Sequence, residues 1–237
     1  MQLNLFSKKK LMKKKVNEYY KTIIFDCDGV LVDSEILVAK AFAEYMRKYG
    51  IEIDEKEFAN FAGKKTVQVI DVLSQKYSIK DQEKFFSDIM DIASYIYKNE
   101  LTAVEGVCKF LYNTKLSLYI GSNSTKDRII SGLHKVELNK YFKPEKIYSF
   151  DLVGKAKPDP AIYLKAIVDN NLNKNETIIL EDSVVGVKAG VNAGVKVVGL
   201  TAGGHWHESR DEQELLEVGA FTVTDDYLKV QEIIESN

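Results

Sequence analysis

The sequence predicts an α/β protein, a doubly wound parallel sheet with a Rossmann-like core and an all-helical domain inserted after the first strand. Three observations predict it. Five short apolar runs of strand length are spread along the chain, and several are continuously apolar, as strands covered on both faces read. The last four are separated by helical stretches, which suits right-handed crossovers between parallel strands. About ninety residues separate the first run from the second, far more than one crossover helix needs.

The first strand is expected at residues 22–25 (Thr-Ile-Ile-Phe), the others at 116–120, 146–150, 177–180 and 195–200. In the insertion, Val38, Phe42, Tyr45, Met46 and Tyr49 recur at steps of three and four after a cap at Ser34, and Gly50 stands where that helix would stop. Val67, Ile70, Leu73 and Tyr77 form a second stripe, and Phe85, Ile89, Ala93 and Ile96 a third. Three apolar faces need partners, and a small bundle supplies them. The expected division is a basic extension over 1–19, a core over 20–35 and 105–237, and a helical cap domain over 36–104.

Composition narrows the function. With 45% apolar and 29% charged residues and only 3 Pro among 237, the chain is neither disordered nor low-complexity. It has no run of about 18 apolar residues, so no membrane insertion is expected. A formal charge of -2 gives no general attraction to nucleic acid, although six lysines against Glu18 make the first twenty residues strongly basic, a solvated arm on this reading. That arm lacks the apolar stretch of a secretory signal, and Cys27 and Cys108 form neither a metal spacing nor a disulfide framework, so a reducing cytoplasm is the expected location.

In an open parallel sheet, functional groups gather beyond the carboxyl ends of the strands. The expected strands deliver Asp26 and Asp28, then Ser122 and Asn123, then Lys157, then Glu181 and Asp182. Two carboxylates one residue apart beyond a buried strand need a cation or a shared proton. Magnesium suits them, because it takes one or two carboxylates and bridges to phosphate oxygens, and Asp182 can supply a further ligand. Gly29 lets the backbone turn sharply beside them. A lone Asp-x-Asp-Gly reads more simply as a turn with a capping aspartate; Asp182, Ser122 and Lys157 change that reading. A fixed Lys157 ammonium balances negative charge and orients a nucleophile, while Ser122 and Asn123 offer donors to phosphoryl oxygens. His205, Trp206 and His207 follow the last expected strand and read as a peripheral loop, too few ligands for a metal.

Taken in order, these motifs resemble the haloacid dehalogenase superfamily, in the branch with a helical cap after the first motif. The resemblance covers residues 20–225. It rests on Asp26-Cys27-Asp28-Gly29-Val30-Leu31-Val32-Asp33-Ser34, on Ser122, on Lys157-Pro158-Asp159-Pro160, and on Glu181-Asp182-Ser183 followed by Gly186, Gly190 and Gly194. The small residues after the fourth motif let that helix approach the sheet. By this similarity Asp26 is the nucleophile that becomes an aspartyl-phosphate, Asp28 handles protons, and Ser122 and Lys157 bind phosphoryl oxygens. Mg2+ is then held by Asp26, the backbone carbonyl of Asp28 and Asp182, with Glu181 a further ligand. Dehalogenases of the superfamily lack the second aspartate, so Asp28 implies phosphate chemistry.

Related phosphomutases carry a histidine where this chain has Val38, and an arginine in the cap where it has Lys64 and Lys65. Both departures favour a hydrolase. Together with Gly121-Ser122-Asn123 and Cys27, they resemble the phosphogluconate and sugar-phosphate phosphatases. Lys64 and Lys65 become candidate contacts to an anionic substrate. The implied partner is a small phosphorylated metabolite, met by a monomeric enzyme. A protein kept only for binding would have lost one of Asp26, Asp28, Lys157 or Asp182, and all four are present.

Overall fold

The computed structural model describes residues 20–48, 50–53, 66–207 and 210–235. The lysine-rich arm, Tyr49, Lys64 and Lys65 lie outside them. The inserted segment contributes helices α1 (Glu35–Arg47), α2 (Thr66–Tyr77) and α3 (Gln82–Glu100). Along α1, Phe42, Tyr45 and Met46 turn to one side and meet Val69, Ile70 and Leu73 of α2 and Phe85 and Ile89 of α3 in an apolar cluster of their own. Phe85 stacks on Tyr45 at 4.6 Å between ring centroids and meets Phe42 edge-on at 6.2 Å. Asp81 caps α3 by accepting from the Lys84 N–H at 2.9 Å. Gly50 lies just beyond α1 at φ +71°, a left-handed position that favours glycine.

Six parallel strands form the sheet: β1 (Thr22–Phe25), β2 (Ser117–Ser122), β3 (Ile147–Ser149), β4 (Thr177–Glu181), β5 (Lys196–Leu200) and β6 (Thr222–Thr224). Their order is β3-β2-β1-β4-β5-β6. Five match the expected runs. The sixth escapes pattern reading because Thr-Val-Thr is a short edge strand whose first two residues are only partly buried.

Alternation along β1 divides the core. Ile23 and Phe25 face one layer with Ile120, Ile178, Leu180 and Val198, against Val107 and Phe110 of α4 (Val107–Asn113), Ile129 and Leu133 of α5 (Lys126–Lys135), and Val230 of α10 (Tyr227–Glu235). Ile24 faces the other with Tyr119, Ile179 and Val197, against Ile162 and Ala166 of α7 (Ala161–Asp169) and Val187 of α8 (Val184–Asn192). Two shorter helices, α6 (Phe150–Val153) and α9 (Gln213–Glu217), complete the flanks. The end of α3 joins the first layer through Ile96, so the inserted helices rest on the core beside the carboxyl end of β1.

The strand order reverses between β1 and β4, where the chain has finished building toward β3 and begins toward β6. These two strands are paired in register, Phe25 opposite Leu180, and the Asp26 N–H donates to the Leu180 carbonyl at 2.9 Å. The residues that follow them are thereby brought side by side. Among the described residues, no helix is long and apolar enough to cross a membrane.

Candidate active site

Asp26, Glu181 and Asp182 converge at this reversal, with one ligand atom from each lying within 4.8 Å of the others, and all three residues are buried. Lys157 enters from the loop after β3, its side chain 3% exposed, and its ammonium stands 2.5 Å from Asp26 Oδ1 and 2.5 Å from Glu181 Oε1. Two of the three carboxyl groups thus pair with one buried ammonium. The consequence is visible in their acidities. Burial raises the Asp26 pKa well above the usual carboxylate range; Lys157 opposes it, and Glu181 and Asp182 add to it. Asp182 is raised by burial and by Glu181. Burial works against the Lys157 ammonium, but Asp26 and Glu181 outweigh it and hold its pKa above the ordinary lysine value. A hard divalent cation would remove the remaining excess of negative charge, so the donor set fits one.

Glu181 is the most engaged of the three. Its Oε1 accepts from Lys157 and from the Tyr163 hydroxyl, and its Oε2 accepts from the Ser183 hydroxyl and the Asp182 N–H, each at 3.2 Å. A Cβ on Gly186 would lie 1.9 Å from its Oε2, so the glycine at this turn of α8 makes room for the carboxylate. Both oxygens are occupied by the protein. Glu181 therefore orients Lys157 as well as lining the acidic cluster.

Asp28 faces another way. Its two oxygens accept from the Ser34 and Ser124 hydroxyls, each at 2.6 Å, and Arg128 approaches Oδ1 at 3.6 Å. Ser34 occupies the cap position of α1 but makes no capping bond; the nearby carboxylate takes its hydroxyl instead. Ser122, the last residue of β2, is buried, and its oxygen accepts from the Ser124 N–H at 3.0 Å. Asn123, read from sequence as a donor, turns its carbonyl oxygen to the Lys157 N–H at 2.8 Å and so ties two loops together. Lys157 donates two of its three N–H groups within the site, which leaves one for a ligand.

Sequence reading missed five neighbours. Ser124 and Arg128 hold Asp28, and Tyr97 of α3 lies beneath the Arg128 guanidinium at 4.2 Å. His205, expected in a peripheral loop, instead places Nε2 3.0 Å from Asp182 Oδ2 with its side chain 7% exposed. Burial lowers its pKa to about 4, which favours the neutral imidazole at pH 7. Glu35, partly buried at the start of α1, is raised to about 7 by burial and by Asp182 and Asp28. The signal for His205 was its position just beyond β5, the same strand-end rule that found Asp182.

Haloacid dehalogenase-like hydrolases have a family model that matches residues 23–200. The chain belongs to this family. It is 30% identical over 185 residues to 6-phosphogluconate phosphatase of Escherichia coli (strain K12), covering 77% of this chain and 83% of the relative. A phosphorylated carbohydrates phosphatase of Thermotoga maritima is 28% identical over 217 residues, 90% of this chain and 95% of the relative. The crystal structure of a haloacid dehalogenase-like protein of unknown function from Agrobacterium tumefaciens superposes with a TM-score of 0.83 at 30% identity, covering 92% of this chain and 98% of that one. With relatives named as phosphatases on this fold, the chain is a phosphoric monoester hydrolase.

Proposed function

We propose that this hydrolase is a magnesium-dependent phosphatase of a small phosphorylated metabolite, a sugar or sugar-acid phosphate, working through an aspartyl-phosphate on Asp26. One observation carries the reading: Asp26 and Asp182, 156 positions apart in the chain, are buried together in one acidic cluster, with the Lys157 ammonium paired to Asp26. The sugar-phosphate class is supported by the names of the two phosphatase relatives.

A carboxylate oxygen of Asp26 attacks phosphorus while the bond from phosphorus to the leaving oxygen breaks. Asp28, protonated at this stage, gives its proton to that oxygen, and the alcohol departs. Asp28 then takes a proton from water, whose oxygen attacks the phosphoryl group; the bond to Asp26 breaks and inorganic phosphate leaves. Lys157 holds Asp26 in place and directs its remaining N–H at a phosphoryl oxygen, with Ser122 beside it. Mg2+, held by Asp26, the Asp28 carbonyl and Asp182, would offset the charge of the phosphoryl oxygens. The segment 36–104 serves as a cap that excludes bulk water, with Lys64 and Lys65 reading the substrate's anionic groups.

A screen of phosphorylated metabolites, with magnesium and with chelator, tests the reading. Release of one phosphate per substrate consumed, dependent on magnesium and absent in Asp26→Ala, is expected. Isomer conversion without phosphate release would instead make the chain a phosphomutase, and turnover retained by Asp26→Ala would end the covalent scheme.

A further inference from the structure

A loop that sequence reading placed at the periphery reaches the acidic cluster and touches it at one atom. We propose that His205 is a positioning residue for the metal site: its Nε2–H fixes the Asp182 carboxylate so that one oxygen is engaged and the other is left for the ion. The inference rests on the proposed reading of the acidic cluster as a cation site.

Three contacts place the imidazole. The Gly204 N–H donates to both oxygens of Asp33, at 3.0 and 3.1 Å, and ties the loop after β5 to the turn after β1. Gly203 fits against that turn because it has no side chain: a Cβ there would stand 2.8 Å from the Gly29 carbonyl oxygen and 2.9 Å from the His205 ring. Gly29 closes the other side, where a Cβ would lie 1.9 Å from Asp182 Oδ2 and 2.9 Å from His205 Cε1. The ring is held between two glycines with Nε2 3.0 Å from Asp182 Oδ2, and Nδ1 is buried with no hydrogen-bond partner among the described residues. Among the described residues, the Nε2–Asp182 contact is thus the polar contact the ring makes. A buried imidazole whose Nε2 stands 3.0 Å from one carboxylate oxygen is placed to donate to that carboxylate. His205 is a poor candidate for the ion itself, since magnesium selects oxygen donors and the three clustered ligand atoms come from carboxylates. Outer groups of this kind set ligand orientation, and their loss weakens metal binding about 10- to 100-fold.

The test is calorimetric titration of the metal-free protein with Mg2+ alone, so no turnover is involved. Gln at 205 can present an amide N–H where Nε2 stands, Asn presents the same amide one methylene short, and Met fills the volume without a donor. His205→Gln is expected to bind Mg2+ within about threefold of the parent, and His205→Asn and His205→Met about tenfold or more weaker. Where His205→Met fails to fold, the Gln and Asn pair decides. Folded His205→Asn that binds Mg2+ as tightly as the parent, while Asp182→Asn does not, overturns the role of His205 and leaves the acidic site standing. A parent protein that binds no Mg2+ overturns the site and this inference together.

Discussion

Lys157→Met removes the cation shared by Asp26 and Glu181 and keeps most of the buried stem. In the parent the ammonium lies 2.5 Å from each carboxylate with its side chain 3% exposed, so both acids lose their counter-charge without gaining water. Breaking a buried pair in this way costs about 3–5 kcal/mol. For a chain of this size that lowers the melting temperature by about 10 °C. The loss also depends on pH. Lys157 is the main influence lowering the Asp26 pKa, which burial already raises. Without it, the folded-state pKa rises further above the unfolded value, and a group raised in this sense gives stability that is lost as pH increases through the folded pKa. The deficit of Lys157→Met is thus larger at pH 8 than at pH 5, by about 1 kcal/mol or more. Thermal unfolding of both metal-free proteins at the two pH values measures it. A deficit below about 1 kcal/mol at both would mean a solvated surface lysine and would refute the burial argument.

Glu35→Gln should raise the melting temperature of the metal-free protein at pH 8 and leave it unchanged at pH 4. The folded pKa of about 7 exceeds the ordinary glutamate value of 4.5, so ionising this group above pH 7 opposes folding by up to about 3 kcal/mol; equal effects at both pH values would contradict it. Gly29→Ala combines φ +77° with a Cβ 1.9 Å from Asp182 Oδ2, so a backbone penalty of about 1–2 kcal/mol should accompany a weakened affinity for Mg2+ in calorimetry. Unchanged affinity would show that the turn yields without moving Asp182. Asp28→Asn keeps the backbone carbonyl but removes proton transfer, so magnesium-dependent binding of inorganic phosphate should survive while turnover falls at least about 100-fold. Equal loss of both would remove Asp28 from its proton-handling role.

The parts of the fold legible in sequence are those where burial is two-sided. β1 and β4 are buried along their whole length and therefore read as unbroken apolar runs, which located Asp26, Glu181 and Asp182 by strand end alone. β6 is an edge strand with one buried residue, and three residues of Thr and Val carry no pattern to detect. The helical stripes around Phe42, Leu73 and Phe85 were legible for the same reason as β1: each must cover the others. The support of the site was less legible, because it depends on how loops meet. Nothing in the spacing of Ser34 or Ser124 says that both hydroxyls turn to Asp28, and capping preference pointed Ser34 toward α1 instead. His205 reaches Asp182 only because Gly203 and Gly204 let one loop lie against another, a contact set by tertiary packing.

The covalent step gives the most direct test. The enzyme is mixed with magnesium and a turned-over sugar phosphate, quenched in acid within the first turnovers, and reduced with borohydride, which converts an aspartyl-phosphate to homoserine. Peptide mass spectrometry should find homoserine at position 26 in quenched samples and none when substrate is omitted. Phosphate release at full rate with Asp26 unmodified, or with the change at Asp28 or Asp182 instead, would contradict the account.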